Sequence, residues 1–338
     1  MSETKQGLAH RLYSGQLSYD FIGRRRVWFL ISAVVLVVSI LTLAFRGLTL
    51  GIEFSGGTDF QAPMTVQSDT VEQVRSEVAA IDIADLEPQV FALGENAIRV
   101  QTRALTPDET TTMRAAIAEI TGASTDDVTY NAIGPSWGQR ISQQAGIALI
   151  VFLVLVSLLI WAWFRDWRMS VSALVALAHD LTVTVGVYAL VGFTVTPSTL
   201  IGVLTILGYS LYDTVVVFDK VKENVRGIEQ SAQTYSQASN LAVNQVLIRS
   251  LNTTIIGVLP VAGLLVAGTV LGGGPLGDLG LALFVGMVAG AYSSIFIATP
   301  VLAMMKERDP KQVAHRATLA RRQARAKAKA ESRRAHAE

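Results

Sequence analysis

Asp213 is the residue of this chain best placed to do chemistry. It lies in LIGVLTILGYSLYDTVVVFDKVKENVR, Leu200 to Arg226, an apolar run with the length of a membrane span. A carboxylate in hydrocarbon costs about 2.5–3.5 kcal/mol on insertion scales, so where one stands it usually faces a cavity or a partner and works there. Counting back from the charged end at Asp219 and Lys220, at about 1.5 Å per residue, sets it roughly 9 Å inside the span. A short side chain at that depth must be paired, hydrated or protonated. The chemistry open to it is reversible proton binding, and the structural alternative is a hydrogen-bonded carboxyl joining two helices.

Three other polar features break apolar runs. His179-Asp180 stands near the middle of the third run, so at least one of the two must face the bundle interior. Histidine titrates near physiological pH, which suits a relay, and a helix-helix hydrogen bond explains the pair equally well. Arg249 begins the fifth run, with Asn252 and Thr253 one turn on along its face. It reads as a member of an interior polar seam with His179, Asp180 and Asp213, or as an arginine snorkelling to the interface. Asp219 reads as a solvated helix end.

Other chemistries leave no trace. There is no P-loop, H-E-x-x-H or G-x-S-x-G, and no series of carboxylates or histidines at metal spacing. Cysteine is absent, which excludes a disulfide framework, a thiolate nucleophile and a cysteine metal site. No enzyme activity, cofactor or metal is therefore expected. An energy source would be an ion gradient, in which one charge crossing 100 mV is worth about 2.3 kcal/mol.

The elements that position these residues follow from composition. With 51% hydrophobic and 16% charged residues in 338, the chain is too apolar for a soluble domain of its length. Net charge of +1 hides an asymmetry. Gly47 to Ser142 holds 14 acids against 5 bases, about −9, and Met305 to Glu338 holds 11 bases against 4 acids, about +7. The two segments should lie on opposite sides of a bilayer.

Arg24-Arg25-Arg26 precedes a first apolar run that is too long for a signal core and has no small-residue cleavage pattern after it, so an uncleaved span is expected. Five more runs follow Ser142. Arg165 and Arg168, then Lys220, Lys222 and Arg226, fall with Arg24 to Arg26 and the tail on one side if there are six spans. The positive-inside rule makes that side cytoplasmic. The expected divisions are a cytoplasmic N-terminus (1–26), a first span (27–45), an outer domain (46–142), a five-helix bundle (143–304) and a basic cytoplasmic tail (305–338).

Within the outer segment, Thr70-x-x-Gln73 opens an amphipathic helix to about Ala80. Glu87 to Leu93 and Ala97 to Arg103 read as strands joined at Gly94-Glu95-Asn96. Thr106-Pro107-Asp108-Glu109 is a capping box for a helix to about Ile120, and Asp127 to Ala132 closes as a strand. With a strand at Thr58 to Pro63 the order is βαββαβ, the α+β ferredoxin-like arrangement.

Several segments together resemble a known family. Gly51-Ile-Glu-Phe-Ser-Gly-Gly-Thr58, Gly134-Pro-Ser-Trp-Gly138, Ala178-His-Asp180, Gly208 to Asp219 with Lys222-Glu-Asn224, and Arg249-Ser-Leu-Asn-Thr253 resemble signature segments of the SecF side of the SecD/SecF family, in family order from Val27 to Leu302. The resemblance implies a polytopic α-helical membrane protein, a six-span half of an RND-superfamily transporter in the bacterial inner membrane with both termini cytoplasmic. It implies pairing with SecD, work beside SecYEG and SecA on unfolded preprotein, use of the proton-motive force, and YajC and YidC as further partners.

Carried over by position, it makes Asp213 the proton-pathway aspartate and Arg249 the arginine beside it. The signature positions are Gly51, Phe54, Gly56, Gly57, Thr58, Gly134, Pro135, Ser136, Gly208, Thr214, Asp219, Asn252 and Thr253. Two positions depart from the pattern: Tyr212 stands where a small Asn is common, which would alter hydration of Asp213, and Glu53 where Asp is common. A proton-driven exporter of small molecules or lipids on the same fold is the competing reading, against which the small outer domain argues. The tail from Lys311 lies outside the resemblance and reads as a solvated, partly helical segment attractive to anionic lipid. Nucleic acid is not an expected partner.

Overall fold

The structure is a computed structural model that describes residues 18–67, 69–270 and 275–335. After the basic run, α1 (Arg25–Arg46) leads through a two-residue strand β1 (Thr49–Leu50) and a single turn α2 (Ile52–Ser55) into the segment expected as the outer domain. There β2 (Gly57–Pro63), α3 (Thr70–Ala79), β3 (Gln89–Leu93), β4 (Ala97–Thr102), α4 (Pro107–Thr121) and β5 (Thr129–Ile133) follow in the expected order. The sheet runs β3-β4-β2-β5 with every neighbouring pair antiparallel. The third strand of the repeat thus inserts between the first two, the split arrangement. Alternation in the strands turns Phe60, Ala62, Ile98 and Val100 onto one face, where they bury Val74, Val78, Met113 and Ile117 of the two helices.

The capping box at α4 forms as the sequence predicts. Glu109 donates its N–H to Thr106 Oγ1 at 3.3 Å, and Thr106 N–H donates to Glu109 Oε2 at 2.8 Å.

The bundle continues with α5 (Pro135–Phe164), α6 (Trp167–Val191), strand β6 (Thr194–Val195), α7 (Pro197–Asn224), α8 (Tyr235–Val270) and α9 (Pro275–Ser293). A π turn (Ser294–Ala298) carries α9 into α10 (Thr299–Glu307), and α11 (Pro310–Ala335) follows. Six of these stretches are long and apolar enough to cross a membrane among the described residues: α1, α5, α6, α7, α8 and the composite from α9 to α10.

Close helix approach depends on small residues. A Cβ on Gly286 of α9 would fall 2.3 Å from Ile206, and one on Gly290 would fall 2.8 Å from Ser210 of α7. These two contacts draw α7 against α9 along the stretch that carries the polar residues. At the basic end, Arg168 pairs with Asp309 at 2.8 Å and Lys306 pairs with Asp166, fixing the start of α6 to the end of α10.

Some features exceed the sequence reading. β1 pairs in parallel with β6, Thr49 opposite Thr194 and Leu50 opposite Val195, and two residues carry no readable period. The helix α5 starts at Pro135 and α8 at Tyr235, well before the apolar runs, because their first turns are polar. The tail is helical through Ala335, and its first turns dock by His315 and Leu319, both buried.

Candidate functional site

Asp213 sits inside α7 and is 8% exposed. Among the described residues its hydrogen bonds all come from serine hydroxyls. Ser250 of α8 lies 2.8 Å from Oδ1 and 2.7 Å from Oδ2, and Ser294 also donates to Oδ2. Ser294 is the first residue of the π turn, and its placement has a local cause. Pro300 has no N–H to offer the carbonyl four residues back, so the helix widens, and Thr299 Oγ1 reaches the Ser294 carbonyl at 3.0 Å.

One turn before Asp213, a second carboxylate is held the same way. Asp180 of α6 is 1% exposed, and its Oδ2 accepts from Ser210 at 2.6 Å and Ser293 at 2.8 Å. His179 Nδ1 lies 3.1 Å from Asp180 Oδ1, and its ring stacks on Tyr292 at 5.8 Å between centroids. Both members of the His179-Asp180 pair are buried, where the sequence required only one. The consecutive residues Ser293 and Ser294 serve one carboxylate each.

This arrangement has a definite chemical capability. An ionised carboxylate only accepts hydrogen bonds, while a protonated one must also donate, and a serine hydroxyl rotates to serve either need. A guanidinium or ammonium would serve only the ion. The Ser250-Asp213-Ser294 set therefore accommodates both charge states without moving a helix, which is what a group that binds and releases a proton requires. No cluster able to hold a metal is present among the described residues.

Arg249 takes a different place from the one expected. It is exposed, and it lines an open cleft of about 910 Å³ between α7 and α8 with Asp219, Glu223, Asn252 and Thr253. The interior seam of His179, Asp180, Asp213 and Arg249 is corrected to the first three. Successive residues point about 100° apart on a helix, so the turn that aims Ser250 at Asp213 aims Arg249 aside. Thr253 Oγ1 donates to the Arg249 carbonyl at 2.8 Å, and Asp219 is exposed as expected. Tyr212 is 55% exposed and is not among the hydrogen-bond partners of Asp213, so its phenol has no direct hold on that group. Thr214 is buried beside the site, and Gly208 is open on the side a Cβ would occupy.

The remaining signature residues build the junction with the outer domain. Gly51, Phe54 and Gly56 shape α2 and its ends. Gly57 has φ of 149°, and a Cβ there would meet the Thr102 carbonyl at 2.4 Å. Thr58 is fully buried, and its Oγ1 accepts from Leu105 N–H at 3.3 Å. Gly134 caps α5, with Pro135 and Ser136 in its first turn.

In the outer domain, charge is matched by charge. Arg99 Nε donates to both oxygens of Asp59 at 2.9 Å, and the Arg99 Nη2 to Asp59 Oδ2 distance is 2.8 Å. Burial works against the Arg99 charge, but the hydrogen bonds and charge of Asp59 outweigh it and raise its pKa above the ordinary value. Glu109 is held down to about 2, first by the side-chain hydrogen bonds of Arg103 and then by the Thr106 N–H.

Sequence reasoning missed Ser210, Ser250, Ser293, Ser294 and Tyr292. Ser210 and Ser250 stand within segments already singled out, but Tyr292-Ser-Ser294 had only its polarity in an apolar run and the nearby Pro300 to mark it.

A family model described as protein export membrane protein SecD/SecF, C-terminal, matches residues 113–308. The chain is 44% identical to a protein translocase subunit SecF of Streptomyces coelicolor, over 96% of this chain and 87% of that one. It is 43% identical to the same subunit of Mycobacterium tuberculosis, over 91% of this chain and 72% of that one. Among solved structures it is similar to SecDF of Thermus thermophilus, a translocon-associated membrane protein, with a TM-score of 0.74 and 26% identity. That likeness covers 90% of this chain and 40% of that one, so the chain spans about two fifths of the length of the SecDF chain it matches.

Proposed function

Because this chain belongs to the SecD/SecF family of protein export membrane proteins, we propose that it is a translocase subunit whose bundle passes protons through Asp213 to assist preprotein export. In this reading it is a non-enzymatic, multi-pass protein of the bacterial inner membrane. Both termini are cytoplasmic, and the acidic domain faces outward. It works with SecD and the SecYEG channel and its motor SecA, with YajC and YidC as further associates. No cofactor enters: the proton gradient is the energy source.

The observation that carries the reading is the hydroxyl cradle of Asp213. A carboxylate kept only to join helices gains most from a fixed partner, whereas Ser250 and Ser294 suit either protonation state. Pairing with SecD is supported by the open face of α8. Leu251, Ile255, Ile256 and Leu259 are 45–70% exposed there, beside the cleft that holds Arg249. A second half seated on that face would cover Arg249, whose charge is unfavourable against lipid. In this reading Arg249 acts at the seam between the halves, one residue from Ser250. The outer domain would take hold of the emerging chain through sheet edges, β3 and β5 being the outer strands.

The test is Asp213→Asn in vesicles carrying the full translocase. The neutral amide should insert and fold normally, because it removes only a costly charge, and proton-driven export should drop to the level of vesicles lacking the subunit. Export at the normal rate would overturn the relay and leave Asp213 as a link between helices.

A further inference from the structure

Two asparagines on the polar arm of α8 hold a piece of chain from the other end of the molecule. Asn244 Oδ1 accepts the Tyr19 N–H at 2.8 Å, and its Nδ2 donates to the Tyr19 carbonyl at 2.9 Å. Asn240 Oδ1 accepts the N–H groups of Phe21 and Ile22 at 2.8 and 3.2 Å, and its Nδ2 donates to the Tyr19 carbonyl at 3.0 Å and to Ser18 Oγ at 3.3 Å. The residues are one turn apart, so their amides face the same strip of backbone. Most of these bonds go to the main chain, which leaves the side chains of this segment free for another task.

That task is to cover the approach to Asp213. Phe21 and Ile22 are 5% and 1% exposed, and they pack in the same core as Val217, one turn from Asp213 toward the basic end of α7. The Phe21 ring lies 5.6 Å from Phe296, which belongs to the π turn that aims Ser294 at Asp213. Phe296 also meets Trp28 at 4.3 Å and Tyr292 at 4.8 Å, and Tyr292 is the ring against His179. An unbroken set of contacts runs from the asparagine clamp to the elements that hold both carboxylates.

We propose that residues 18–23 are a latch over the cytoplasmic side of the Asp213 site, and that Asn240 and Asn244 are the positioning residues that hold it shut. The inference rests on Asp213 being a proton carrier, since a path open at both ends would leak and one end must close while the other is open. The clamp is suited to opening. Its bonds join neutral amides to backbone, so water can replace them without any charge being exposed. Trp28 Nε1, Tyr235 Oη, Ser236 Oγ and Ser239 Oγ, from the start of α1 just after the latch and from the same arm of α8, are buried with no hydrogen-bond partner among the described residues. Water admitted by a raised latch would satisfy such groups and offset the bonds lost.

The chain has no cysteine, so single cysteines report access without interference. Val217→Cys places a thiol in the core that Phe21 and Ile22 help to close, at a position with no exposure. In vesicles holding the full translocase, a membrane-impermeant maleimide applied from the cytoplasmic side should label it at least tenfold faster when Asn240→Ala and Asn244→Ala are added. Equal labelling with and without the two alanines overturns the clamp. A locking pair covers the case in which the alanine variant folds poorly. Ser18→Cys with Asn240→Cys, bridged by a short bifunctional methanethiosulfonate, joins two positions whose side chains now meet, Asn240 Nδ2 lying 3.3 Å from Ser18 Oγ. The reduced pair lacks the Asn240 amide, so its own export is the reference: crosslinking should stop that export, and a reductant should return it to the level of the reduced pair. Export by the fully crosslinked protein equal to that of the reduced pair overturns the latch and makes the segment a fixed plug. Asp213→Asn run in the same assay separates the two readings: normal export there removes the proton relay, while the labelling comparison tests the latch by itself.

Discussion

The outer domain and the membrane bundle treat their partnered carboxylates in opposite ways. Outside, Asp59 meets Arg99 and Glu109 meets Arg103, each carboxylate facing a fixed cation. Inside, Asp213 meets two serines, and Asp180 meets two serines and a histidine. An arginine favours one charge state at every working pH, so the outer pairs fix structure. A serine hydroxyl can donate to a carboxylate or accept from a carboxylic acid, so the partners of Asp213 can serve either charge state. The lesson is that burial alone does not decide which charge states a carboxylate's surroundings can serve. What faces it does.

The largest expected effect breaks the outer half of this comparison. Asp59→Asn keeps the shape and leaves Arg99, only 12% exposed at its side chain, without its main counter-charge. Removing one partner of a buried pair costs about 3–5 kcal/mol, and the lower end applies because Glu53 and Asp278 also face the Arg99 charge. For a domain of this size, about 3 kcal/mol corresponds to a fall of roughly 12 °C or more in melting temperature. Limited proteolysis of the outer domain in the intact chain, followed against temperature, measures it. A cost under about 1 kcal/mol would mean that the pair behaves as a surface bridge and that charge does not organise this domain.

The next effect tests the inner half. Ser250→Ala and Ser294→Ala each remove a hydroxyl that serves both states of Asp213, and each should slow proton-driven export about tenfold, close to 1.4 kcal/mol. The two serines touch one carboxylate, so the double variant should depart from the product of the singles. Ser250→Thr, which keeps a hydroxyl, should retain more activity than Ser250→Ala. If the double alanine exports normally, the hydroxyls serve packing alone, and the contrast with the outer domain loses its meaning.

How much of this was legible in the sequence depended on the range of the forces involved. The βαββαβ order was readable because its signals are local: the capping box at Thr106, the turn at Gly94 to Asn96, the strand alternation around Phe60 and Ile98. Asp213 and His179-Asp180 were readable because any ionisable group stands out against an apolar run. The serines were not, since a hydroxyl is cheap in a helix, where it can bond its own backbone, and so carries little information on its own. The position of Arg249 was misjudged for a geometric reason. Hydropathy locates a residue along a helix axis but not around it, and the choice between Arg249 and Ser250 is a rotation of about 100°. The asparagine clamp was out of reach as well, because it joins residues more than 200 positions apart.

The smallest expected effect sharpens the comparison at its most exposed pair. Glu109→Gln keeps the capping geometry, since glutamine also serves at that position, and removes only the charge that meets Arg103. The carboxyl is held at about 2 in the folded chain, against about 4.3 unfolded. A depressed carboxylate stabilises fully above its unfolded value and loses that contribution as pH falls toward its folded value. Wild type and Glu109→Gln should therefore differ slightly at pH 5, converge as pH falls from about 4.5, and match near pH 2. Pepsin cleavage within α4 of the intact chain, timed across that window, gives the readout. The difference should also shrink in high salt, because the Arg103 and Glu109 side chains are 34% and 28% exposed. A difference that persisted unchanged to pH 2 would show that the substitution acts through the cap and not through charge. Glu109 would then behave like a carboxylate among hydroxyls, and the division between the two regions would hold only for Asp59.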